Sequence, residues 1–230
     1  MMVSTPTSPI QKFQQMYRND RHLWRLILMI AIWMLFMAIT RFNRFYTMIN
    51  FQTMAAQFPE FGLMSLGVML CMITGGIDLS VVGVANLTSI LMAFILINLT
   101  TASGGLPGYA IPLVFLLAIL LGAAFGLFNG LLVSKFHIPP ILATMGSGEL
   151  FTGICLAITN GNAVSKFSRT YANTINNRLF DLIPVQLIFF IVMAVVIWFL
   201  LSKTVFGTKL YLLGTSETAA KFSGLNNTRL

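Results

Sequence analysis

An all-α, polytopic membrane bundle of about six transmembrane helices is the fold class this sequence predicts, on three observations. Of its 230 residues, 57% are of the types AVILMFWYC and only 9% are charged, where a soluble domain carries about 25% charged residues. The charges, 14 Lys and Arg and 6 Asp and Glu, punctuate apolar runs instead of gathering in one region. The runs themselves match the roughly 20 residues a helix needs to cross about 30 Å of hydrocarbon. Too little polar surface remains for a soluble enzyme, an extracellular disulfide scaffold or a disordered chain.

The first span is Leu23 to Ile39, preceded by Lys12, Arg18 and Arg21 and closed by Arg41 and Arg44. Its basic flank is that of a signal peptide, but no small-x-small cleavage pattern follows, so it reads as an uncleaved anchor. In the segment 45–60, the apolar residues Phe45, Met48, Ile49, Phe51, Met54, Ala55 and Phe58 suggest a helical face. That segment either lies in the interface or leads obliquely into the second span, and the second option is favoured. The second span covers 61–77, between Glu60 and Asp78. Residues 79–134 then run uncharged for 56 positions, about 84 Å of helix, which is two crossings with a turn between them. Thr101 to Gly108 is that turn, a cluster of Ser, Gly and Pro. Pro139 and Pro140 suit the start of a fifth span, Ile141 to Thr159, and Leu182 to Ser202 gives the sixth. An even number of spans puts both termini on one side. With the N-terminus inside, the inner segments hold nine basic residues (Lys12, Arg18, Arg21, Arg25, Lys135, Lys203, Lys209, Lys221 and Arg229) and the outer ones five (Arg41, Arg44, Lys166, Arg169 and Arg178). The positive-inside bias therefore favours a cytoplasmic N-terminus. The divisions that follow are a cytoplasmic segment 1–22, a transmembrane domain 23–202 and a cytoplasmic segment 203–230.

Polar and small residues within this apolar frame carry what functional signal there is. Gly75 and Gly76 weaken helix, and Asp78, followed by Ser80, suits a helix N-cap. The stretch is either a tight connecting turn or a broken helix whose backbone borders a polar pathway. Gly122, Gly126 and Gly130 lie four apart, a stripe that lets another helix approach closely. Asn129 beside it has to face protein or water. Glu149, the one acid inside the fifth span, costs about 2.5–3.5 kcal/mol at mid-bilayer, so it is either a pathway residue or reaches interfacial water. Cys71 and Cys155 read as small hydrophobes in helices, and His22 and His137 have no metal-site company. No metal or cofactor site is expected. Neither a GxxxxGK[ST] loop nor a nucleophile elbow is present, so the chain is not expected to be an enzyme. Near the end, Ser216 to Ser223 suits a short helix with Ser216 as its cap and Gly224 at C′. Such a helix either seats in a groove on a soluble partner or is a solvated loop.

Three segments in this order resemble one family, the membrane permeases of bacterial ABC importers of the ribose/xylose/galactoside type. Ile73 to Ser80 (ITGGIDLS) matches that family's signature. Asn129 to Val133 with Ile138-Pro139-Pro140 and Thr144-Met145-Gly146 is similar to its NGLLV…IPP…TLG segment, and Phe206 to Leu225 resembles its FGR…EAARLSGI stretch. The resemblance implies that the last stretch forms a coupling helix docking into an ATPase subunit through Thr215, Ser216, Glu217, Ala219, Ala220, Lys221 and Gly224. It also implies that Gly75, Gly76, Asp78, Ser80, Asn129 and Glu149 lie at a helix break or along the pathway. The chain departs from the pattern in having Thr218, after Glu217, directly before the Ala-Ala pair where glutamate is common. Permeases of this type continue through further spans, whereas this sequence stops at Leu230, which implies a missing C-terminal half. The expectation is a permease subunit in the bacterial inner membrane that moves a simple sugar. Its expected partners are an ATP-binding subunit, a second permease subunit and a sugar-binding protein, with no nucleic acid. Two alternatives stand beside it: an ion-coupled transporter with Glu149 or Asp78 as proton site, and a structural membrane subunit that transports nothing.

Overall fold

A computed structural model describes residues 21–101, 105–165, 167–179, 183–216, 220, 222 and 224. The fold is an all-α bundle, and six of its helices are long and apolar enough to cross a membrane: α1 (Arg21–Phe45), α2 (Met48–Ile73), α3 (Val81–Leu99), α4 (Ala110–Ser134), α5 (Pro140–Thr159) and α7 (Val185–Lys203). Between α5 and α7 come a short helix, α6 (Arg169–Ile175), and two antiparallel two-residue strands, β1 (Arg178–Leu179) and β2 (Ile183–Pro184). A final helix, α8 (Val205–Thr215), follows α7. The Asn-rich stretch before α7 gave no sequence signal for α6 or the strands.

The chain divides into two compact units, Met1–Met54 and Ala55–Leu230. In the first, α1 runs past the expected end at Ile39 and kinks at Arg41, whose φ of −141° and ψ of 35° are not helical. Beyond the kink Phe42, Phe45, Tyr46 and Phe51 stack edge-to-face and in parallel, and the Tyr46 hydroxyl donates to the Met34 carbonyl at 2.7 Å. Residues 48–60 belong to α2 itself, which continues through Pro59, so the oblique approach is a continuous helix.

In the second unit, α3 packs on α4 and α5, and α4 on α5. Leu87, Phe151 and Cys155 form one buried cluster with Phe125 against it, and the Phe125 and Phe151 rings lie 4.7 Å apart. Met92, Leu96 and Val114 form the other. Apolar side chains such as Leu127, Ile154 and Trp198 face outward, as expected of helices whose surroundings are lipid.

Glycine decides how closely α3 and α5 approach. A methyl at Gly83 would stand 2.7 Å from the Gly148 carbonyl oxygen, and one at Gly148 would stand 3.2 Å from the Ser80 Cα. The expected stripe behaves differently. Methyls at Gly122, Gly126 or Gly130 would meet nothing within 4 Å, so among the described residues no helix packs on it. The spacing was right for a packing motif, but a stripe shows only where a helix can approach, not that one does. Gly122→Ala is therefore expected to leave the unfolding midpoint of the detergent-solubilised protein unchanged. Gly75→Ala should lower it, because Gly75 sits at φ +88°, where an L-residue pays about 1–2 kcal/mol.

Candidate functional site

The helix break between α2 and α3 organises the polar residues. α2 ends in a Schellman turn: the Gly76 N–H donates to the Cys71 carbonyl and the Gly75 N–H to the Met72 carbonyl, both at 3.1 Å. Gly75 supplies the left-handed residue at C′ that this turn requires. Gly76 then packs against Pro140, with the position of a Cβ 3.3 Å from the Pro140 Cβ.

Asp78 does not cap α3 as expected. Helix α3 begins at Val81 with Ser80 at its N-cap position, and Asp78 instead closes an Asx turn. Its Oδ1 accepts from the Ser80 N–H at 2.8 Å and the Ser80 hydroxyl at 2.6 Å. With its proton committed to the carboxylate, the Ser80 oxygen is an acceptor, and Asn129 Nδ2 donates to it at 2.7 Å. The chain Asn129 to Ser80 to Asp78 thus ties α4 to the start of α3 across 49 residues of sequence. Ser80 is 1% exposed and Asn129 5%. Since the Asn129 amide gives its nitrogen to Ser80, its orientation is fixed, and its Oδ1 is buried with no hydrogen-bond partner. Leaving such an oxygen unpaired costs about 1–3 kcal/mol.

Thr144, buried in α5, joins the same break from the other side. Its hydroxyl accepts from the Leu79 N–H at 3.1 Å and has the carbonyls of Pro140 (2.8 Å) and Ile77 (3.1 Å) within reach of its proton. Sequence reasoning passed over Thr144. A threonine inside an apolar helix usually bonds back to its own preceding turn, and only tertiary contact with 77–79 distinguishes this one.

A cavity of about 1180 Å³ extends from this cluster along α3 and α4. Its wall on α3 runs from Ser80 to Leu96 and on α4 from Asn129 back to Ile111, about 24 Å at 1.5 Å per residue. Asn162, Phe167 and Tyr171, from the loop after α5 and from α6, line its far end. Asn86, Thr88, Ser89, Thr152 and Thr159 add neutral polar groups to an otherwise apolar lining, and Asp78 is the one charged residue among the described residues of that lining. A second cavity of about 710 Å³, between α2 and the start of α3, shares Met64, Asp78 and Val81 with the first and reaches Met72 and Ile73.

The structure therefore brings Asp78, Ser80 and Asn129 together, with Gly75 and Gly76 shaping the turn beside them. Glu149 stands apart from them: it is exposed and lines neither cavity. It lies two residues from both Ser147 and Phe151 on the buried face of α5, and at 3.6 residues per turn that is the opposite face. Among the described residues no group of His, Cys, Asp or Glu is arranged to hold a metal ion.

At the end of the chain, Gly214 of α8 abuts the Ile73 carbonyl, and a methyl at position 214 would overlap that oxygen. Thr215 closes α8, and the Ala220 N–H donates to the Ser216 carbonyl at 2.9 Å. Ala220 is helical and buried, and Gly224 has φ +80°. Of the expected docking residues, Glu217, Ala219 and Lys221 lie outside the described residues.

Residues 50–230 match the family model described as branched-chain amino acid transport system / permease component. The chain belongs to this permease-component family. Within it, the chain is 32% identical to the ribose import permease protein RbsC of Bacillus subtilis over 97% of its own length and 67% of the relative's. It is 29% identical to the D-allose transport system permease protein AlsC of Escherichia coli, over 71% of this chain and 48% of that one. It is also 29% identical to the galactose/methyl galactoside import permease protein MglC of Haemophilus influenzae, over 80% and 58%. The chain thus spans about half to two thirds of the length of these permeases. No solved structure matches it.

Proposed function

We propose that this chain is the translocating part of a permease subunit in an ATP-driven importer, carrying an uncharged, hydroxyl-rich solute of the simple-sugar class along the cavity of α3, α4 and α5. The observation that carries the reading is the cavity's chemistry. Its hydroxyl and amide groups match a polyol, and no Lys, Arg or His among the described lining residues would neutralise a carboxylate, so an amino acid is a poor fit despite the family's description. Phe115, Phe167 and Tyr171 add aromatic rings to the lining. The relatives named for ribose, D-allose and galactose permeases support the same class.

In this scheme the chain hydrolyses nothing. An ATP-binding subunit supplies the work, a second permease subunit completes the path, and a sugar-binding protein delivers the solute. Residues 1–22 and 203–230 lie on the cytoplasmic side of the inner membrane and 23–202 span it. Residues 215–224 dock on the ATP-binding subunit, a role that suits Ala220, helical and buried, and Phe222, helical and exposed.

Uptake of radiolabelled sugars by cells expressing the complete transporter tests the reading. ATP depletion is expected to abolish uptake, and a protonophore at maintained ATP is expected to spare it. The opposite pattern would indicate an ion-coupled carrier. A competing branched-chain amino acid should leave sugar uptake unaffected.

A further inference from the structure

The geometry points to Ser80 and Asn129 as the gate of this pathway, and to Gly214 as the residue through which the end of the chain works it. The inference rests on the reading of the chain as an importer permease, and three separate contacts lead to it. First, the Asp78–Ser80–Asn129 chain stands where the large cavity ends, and Asp78 also lines the smaller cavity beyond. Asp78, at one end of that hydrogen-bonded chain, thus stands where the two spaces adjoin. Second, the seal is tight, because α3 and α5 meet backbone to backbone at Gly83, Gly148 and Ser80. Third, the smaller cavity reaches Ile73, and the Ile73 carbonyl is what Gly214 abuts. Four residues separate Ile73 from Asp78, and Thr144 and Pro140 hold this stretch against α5. A displacement of α8 therefore bears on the end of α2 and on the turn that presents Asp78.

The chain is also built to open as well as to close. The Asn129 carbonyl oxygen is buried without a partner while the gate is shut, and water or a solute hydroxyl can reach it once α4 and α3 part. That offsets part of the loss of the Asn129–Ser80 bond when the gate opens.

Site-specific labelling tests the gate in the intact transporter. On a background of Cys71→Ala and Cys155→Ala, Asn86→Cys places a thiol in the large cavity, about 9 Å along α3 from Ser80. Without nucleotide, a membrane-impermeant maleimide is expected to label it from the face opposite α8 and not from the face of α8. Ser80→Ala should raise labelling from the face of α8 at least fivefold, and Ser80→Thr, which keeps the hydroxyl, should not. Gly214→Ala, the smallest side chain that can press on the Ile73 carbonyl, should weaken the nucleotide dependence of labelling in the protein that still co-purifies with the ATP-binding subunit, and an unchanged nucleotide dependence would overturn the role of Gly214. Equal rates in Ser80→Ala and the parent would overturn the gate. Should Ser80→Ala fail to assemble, Asn129→Ala carries the same readout. If the importer reading alone is wrong, nucleotide leaves the parent's labelling unchanged while Ser80→Ala still opens the cavity. If the gate alone is wrong, ATP-driven uptake persists and Ser80→Ala is silent.

Discussion

Gly83→Val should leave almost no folded protein in the membrane fraction, and Gly148→Val should do the same. At both positions the obstacle to a side chain is backbone, the Gly148 carbonyl oxygen at 2.7 Å in one case and the Ser80 Cα at 3.2 Å in the other. A flexible side chain could swing aside, but backbone held in two helices cannot. Overpacking of this kind costs about 1–3 kcal/mol, and here the strain falls on the element that also positions Ser80. Quantifying the monodisperse protein recovered after mild detergent extraction measures the effect. Gly146→Val is the matched control, because a Cβ there meets nothing within 4 Å. Equal recovery of Gly83→Val and Gly146→Val would show that α3 and α5 do not meet in this way.

Asp78→Ala is the substitution expected to cost most in transport, with sugar uptake falling more than tenfold. The carboxylate accepts two hydrogen bonds from Ser80. Its removal orphans the Ser80 N–H and frees the Ser80 proton to turn toward Asn129, where a donor already points. Each orphaned buried group costs about 1–3 kcal/mol. Asp78→Asn keeps an oxygen that can accept both bonds and should retain most of the uptake. Were charge itself the requirement, as for a proton site in an ion-coupled carrier, Asp78→Asn would be as damaging as Asp78→Ala. Uptake rates of the two variants at matched membrane abundance separate these outcomes.

The membrane class, the six spans and most of their ends were legible in the sequence, because a bilayer imposes a length and a polarity that any 20-residue window displays. The turn after α3, the start of α5 at Pro140 and the glycine break at Gly75 and Gly76 were legible for the same local reason, since breakers act on their own neighbours. The grouping of the polar residues was not. Asp78, Ser80 and Asn129 were each visible as polar residues at a break or along a pathway, yet nothing local showed that they would share one hydrogen-bonded chain or which of its two expected places Glu149 would take. Periodicity assigns a residue to a face of its helix, but only the packed bundle says which face meets a neighbour.

What the sequence by itself determined is therefore a chain that must live in lipid, cut into helices at particular residues, with a family signature at the break. Only the tertiary structure decided that Gly83 and Gly148 bring two helices into contact, while Cβ atoms at Gly122, Gly126 and Gly130 would meet nothing within 4 Å among the described residues. It also placed Thr144 on the backbone of Ile77 and Leu79, and Gly214 against Ile73. The physical reason is range: helix formation and membrane insertion read neighbouring residues, whereas close packing and shared hydrogen bonds depend on partners tens of residues away.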